Sequence, residues 1–163
     1  MTSIPAVGEV FGLSQTARDI GRTFGTRAGN IPSEFIDVDR EVRTLADALR
    51  LFGHSLGPDN VATRADLDTQ EAVDIIFASA QTTLRDLELC VERHSTIRKV
   101  QTFTGFAVQK TWSDSAIIDY ARVAWTARDG NMGLLRALLT MHRSTILLLS
   151  QAVQRYVDPV LKR

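Results

Sequence analysis

Apolar residues recur along this chain at steps of three and four, the period that places them on one face of an α-helix. From Thr2 to about Phe24 they fall at Ile4, Val7, Val10, Phe11, Ala17, Ile20 and Phe24, with Glu9, Gln15, Arg18, Asp19 and Arg22 mostly elsewhere. Gly8, Gly12 and Gly21 each weaken this first helix by about 1 kcal/mol relative to alanine. Gly25, Gly29 and Asn30-Ile31-Pro32 end it. The second helix has the clearest pattern: Phe35, Val38, Val42, Leu45, Leu49, Phe52 and Leu56 form a heptad seam with arginine and aspartate outside it. Ser33 is placed to cap it, Glu34 and Asp37 suit the positive end of its dipole, and Gly57-Pro58 stops it.

A polar loop from Asp59 to about Arg64 leads to a third helix, capped near Asp66 or Asp68, with the stripe Val73, Ile76, Phe77, Ala80, Leu84, Leu87 and Val91. The phase weakens at His94-Ser95, where a break is predicted. Beyond it Ile97, Val100, Phe103, Phe106, Val108 and Trp112 suggest continued helix, and Ser113-Asp114 is placed to cap a further turn carrying Ile117, Ile118, Ala121, Ala124 and Trp125. The last helix begins after Asp129-Gly130-Asn131 and carries Leu135, Leu138, Leu139, His142, Ile146, Leu149, Val153 and Tyr156, until Asp158-Pro159. Strand-like alternation is nearly absent. The expected fold class is all-α, an antiparallel helical bundle of four to five long helices forming a single domain over residues 1–163. The amphipathic first helix covers about 2–25 and the bundle about 33–157.

Composition adds limits. With 44% hydrophobic and 23% charged residues the chain is not the kind that stays disordered. It has no basic leader followed by an apolar stretch and no apolar run of bilayer length, so a soluble, cytoplasmic protein is expected. The single cysteine, Cys90, lies in an apolar run and reads as a small buried hydrophobe. Net charge is zero but uneven: residues 1–92 sum to −7 and residues 93–163 to +7. Packing of the two halves accounts for that, and so does a basic surface for an anionic lipid or an acidic partner. Nucleic acid is not expected, because the arginines are scattered and seldom interleaved with aromatics.

Motifs that carry chemistry are missing. There is no glycine-rich phosphate loop, no pair of metal-binding cysteines and no His-Glu-x-x-His helix. His54, His94 and His142 lack metal-ligand spacing, and His142 sits on an apolar seam as a core histidine would. Asp37/Asp39 and Asp66/Asp68 are carboxylate pairs two residues apart, which point to different faces of a helix and read as first-turn acids. Neither a catalytic residue nor a cofactor or metal is expected. The glycine spacing Gly8-x-x-x-Gly12 and Gly21-x-x-x-Gly25-x-x-x-Gly29 allows close helix approach. A second reading makes the first helix a releasable segment, whose candidate membrane or partner face is Ile4, Val7, Val10, Phe11, Ile20 and Phe24.

The stretch from Val123 to Leu149, with Trp125 before a short polar turn and then Leu135, Leu139, His142, Thr145 and Leu148, resembles the N-terminal helical domain of fungal STAND (NOD-like receptor) proteins. The glycine-containing first helix, and the second with its regular Leu45 and Leu49, are similar as well. The resemblance also takes in the HeLo and HeLo-like domains, helical bundles that execute cell death by acting on membranes through an N-terminal hydrophobic segment. It implies a non-enzymatic signalling module that couples self-association to membrane-directed cell death, with relocation to the plasma membrane. In this chain Glu9, Arg18 and Asp19 interrupt the apolar face. A helical protein–protein interaction scaffold that never meets lipid is the alternative, and an enzyme whose site forms only in three dimensions is a third.

Overall fold

The computed structural model describes residues 3–25, 33–112 and 132–157. Among them the fold is mostly helical, with one two-stranded antiparallel hairpin. In chain order α1 is Val7–Gly25, α2 Ser33–Leu56, α3 Leu67–His94, β1 Ser95–Thr102, β2 Gly105–Trp112 and α4 Met132–Val153. Short 3-10 turns occupy Val61–Arg64 and Gln154–Tyr156. The expected helix around Ile117 to Trp125, the Asn131 cap and the Asp158-Pro159 stop lie outside the described residues.

The helix α2 carries the core. All of its seam, from Phe35 through Leu45 to Leu56, is fully buried, and each large apolar side chain so removed from water stabilises the fold by about 1.5–3 kcal/mol. Helices α1 and α4 both pack on α2, and α3 closes against α1 and α4. Val10, Leu13, Ala17 and Ile20 enter from α1, Val73, Phe77, Leu84 and Leu87 from α3, and Leu135, Leu139, Ile146 and Val153 from α4. Gly57, at φ +68°, takes the left-handed turn that ends α2. Asp66 caps α3, its carboxylate accepting from the Thr69 amide at 2.8 Å.

Three expectations change. The first helix starts at Val7, not Thr2: Pro5 disfavours helical backbone at Ile4 and has no amide to donate, and Ala6 O accepts the first helical bonds, from Glu9 N and Val10 N. The second change is at residues 95–112, which form a hairpin and not a helix. Thr96, Ile97, Val100, Thr102, Val108 and Thr111 are β-branched and suit strands. The strands pair from Ser95↔Trp112 to Thr102↔Gly105 around the two-residue turn Phe103-Thr104. Gly105 supplies φ +136°, which other residues rarely adopt. The apparent stripe Ile97, Val100, Phe103, Phe106 keeps a step of three, which drifts around a helix instead of holding one face.

The third change concerns direction. Successive contacts pair Phe11 with Gly53, Ser14 with Ala46 and Gly21 with Arg43, so α1 and α2 run antiparallel. Between α2 and α4, Arg136 pairs with Asp37 at 3.5 Å and Thr140 with Glu41 at 3.1 Å, numbers that rise together. That packed pair is parallel. A short turn forces consecutive helices to run antiparallel, but α3 and the hairpin lie between α2 and α4, so no such turn acts on them.

Candidate interaction site on the first helix

The described side chains of the proposed face, from Ile4 to Ile20, lie in the core or at its edge. Val10 and Ile20 are buried, and Ile4 and Val7 are partly buried against the same cluster. Phe11 is half-buried at the edge, and Phe24 stands in the last turn of α1. Amphipathicity thus seats this helix where an isolated amphipathic helix would seat itself in an interface.

Polar and steric contacts index α1 on α2. The Phe11 ring lies over Gly53, where a Cβ would stand 2.9 Å from it. The same ring meets His54 edge-on, with centroids 5.1 Å apart. Ser14 Oγ donates to Ala46 O at 2.7 Å in the buried interface. Arg43 Nε donates to Asp39 at 2.6 Å, and its Nη2 donates to Gly21 O at 3.3 Å. A Cβ at Gly21 would lie 3.1 Å from Arg43 Cγ, so close approach is used at that glycine. At Gly8 and Gly12 it is not: both face open space. The tight glycine that sequence reasoning missed is Gly53, which sits inside an otherwise regular helix.

Arg18, Arg22 and Arg43 line one cleft with Asp47. Arg18 reaches Asp47 at 3.5 Å and Arg22 reaches Asp19 at 3.3 Å, so aspartates partner these cations. A second cleft of about 350 Å³ between α1 and α3 is lined by Glu9, Gly12, Leu13, Thr16, Gln81, Arg85 and Glu88. Its lining contains no imidazole or thiol to act as base or nucleophile. Among the described residues no group of three His, Cys, Asp or Glu side chains is placed to hold a metal ion.

The titratable groups with shifted behaviour belong to packing. His142 is buried, with Nε2 2.8 Å from Thr83 Oγ1 in a hydrogen bond that ties α4 to α3. Burial holds its pKa below the ordinary 6.5. His94 is lowered by burial and by the adjacent Arg93 charge. Asp66 is lowered chiefly by its hydrogen bonds from Thr69.

Sequence reasoning also missed a second apolar line on α4. Leu134, Met141 and Leu148, at steps of seven, are exposed beside the buried seam. The signal was an excess of leucine beyond what one face can bury. Comparison with protein-family models, with curated proteins and with solved structures returned no match.

Proposed function

We propose that this chain is a non-enzymatic signalling module, a bundle of four to five long helices like the N-terminal effector domain of fungal STAND receptors. In this reading it is cytoplasmic, associates with itself, and acts on a membrane through α1, in the service of programmed cell death. The observation that carries it is the composition of α1. This helix seats Val10, Leu13, Ala17 and Ile20 in the core, yet Gly8 and Gly12 stand at open positions where no contact requires glycine. Each glycine costs about 1 kcal/mol of helix stability, so the backbone of α1 contributes little of its own and packing holds the helix in place. Burial of Val10, Leu13 and Ile20 holds it with roughly 5–9 kcal/mol, comparable to the whole stability of a small domain. Release therefore requires another apolar environment, and a bilayer interface supplies one. The exposed line Leu134, Met141 and Leu148 supports the self-association half of the reading. No helix among the described residues is long and apolar enough to cross a membrane, which favours interfacial action over spanning.

A second reading, a protein-binding scaffold with α1 permanently seated, is favoured by the Phe11–Gly53 and Ser14–Ala46 contacts. A reversible lock separates the two. Cysteines replacing Gly21 and Arg43 would join α1 to α2 when oxidised. Dye release from phosphatidylserine-containing vesicles should be blocked in the oxidised protein and restored by reductant. Equal release in both states, or none in either, removes the membrane role of α1.

A further inference from the structure

We infer that the tip of the β1–β2 hairpin, Phe103 to Phe106, is an anchor that docks the protein on an anionic membrane surface. The inference rests on the membrane half of the reading above and adds the place of first contact. From Gln101 to Ala107 every residue is exposed, so no core accounts for the aromatic residues there. Phe103 is 111% exposed and Phe106 65% exposed, whereas phenylalanine is among the residues most often found inside. The base of the hairpin is fixed: β1 continues directly from α3, and β2 lies against α1. A narrow ribbon thus carries two phenylalanines at its outer end.

Charge decides among possible occupants. Between Ser95 and Trp112 the chain has Arg98, Lys99 and Lys110 and no acidic residue, inside the half that sums to +7. Basic residues in the two strands that lead to an apolar tip match a surface with negative headgroups over a hydrocarbon layer. A protein partner fits less well, because a two-residue turn offers far less than the roughly 800 Å² that each side of a stable interface buries. Single-stranded nucleic acid also fits less well, since stacking platforms present aromatics along a basic groove and not at the point of a turn.

The test uses the full chain and co-sedimentation with phosphatidylcholine vesicles, with and without phosphatidylserine. Binding is expected only to the anionic vesicles and should weaken as salt is raised. Phe103→Ser with Phe106→Ser should weaken it on the order of tenfold or more. Arg98→Gln, Lys99→Gln and Lys110→Gln should each weaken it roughly fivefold. Circular dichroism should be unchanged in the phenylalanine variant, because both positions are exposed. Binding should persist in the oxidised Gly21/Arg43 cysteine lock, which separates docking from release of α1. The proposal is overturned if the intact protein ignores anionic vesicles or if the double serine variant binds as well as the parent. It falls equally if a single-stranded oligonucleotide, and not the vesicle, is the ligand lost with the two phenylalanines. Dye release that depends on the lock but not on the phenylalanines would sink the anchor and leave the role of α1 standing.

Discussion

Cys90 is 2% exposed, and burial pushes its thiol up to about 11. The thiolate is the reactive form, so at pH 8 only about one molecule in a thousand carries it. A disulfide-exchange reagent such as Ellman's should therefore leave the native protein unmodified at that pH and titrate one thiol once urea unfolds it. Rapid native labelling would mean that α3 opens locally around Cys90. Apolar sequence context was enough to read this residue, because a thiol between Leu87, Leu89 and Val91 has the same few surroundings in any amphipathic helix. Gly53 shows the opposite case. Its role depends on a ring from another helix, and nothing within its own helix announces the Phe11 that fills the space.

Helix α1 differs from its neighbours in how its stability is divided between backbone and packing. Gly12→Ala adds a methyl to open space and removes the backbone entropy cost of glycine, so it should stabilise the protein by about 1 kcal/mol. Gly53→Ala gains the same propensity but drives a Cβ against Phe11, and should be neutral or destabilising. Urea midpoints of the two variants against the parent would show the contrast, and equal shifts would mean that Phe11 yields freely. The heptad of α2 was legible because seven apolar residues at alternating three and four steps permit only one buried face, and that face is buried. The hairpin was not legible. Its apolar residues imitate a helical step, while the pairing of Thr102 with Gly105 is set by the conformation of one glycine and by partners across the turn. The seat of α1 could be foreseen only as a choice, since one amphipathic stripe serves a core and an interface equally well.

At the level of the whole molecule, buried imidazole sets the response to acid. His142 resists protonation in the fold while the unfolded chain accepts a proton near 6.5, so the unfolded state binds more protons as the pH falls through that value. Stability should therefore decline on acidification below about pH 6.5, by up to about 1.4 kcal/mol per pH unit for this ring, and His94, lowered in the same direction, adds to the decline in the same window. Asp66, whose pKa is also lowered, loses its contribution only when the pH falls below its ordinary 3.8, outside this window. Urea midpoints at pH 7.5 and 5.5 should differ in the parent and differ less in His142→Gln; equal differences would assign the effect elsewhere. The loop after α2 bears on a different property. Asn60 Nδ2 donates to Pro5 O at 2.9 Å, Arg64 Nη2 donates to Tyr156 O at 2.9 Å, and Asp66 N donates to the Tyr156 hydroxyl at 3.4 Å. One short loop thus grips the chain near both ends of its described length. Tension applied between those ends would load three hydrogen bonds before it loaded any helix, so the protein would yield first by letting go of its ends, with its core still closed.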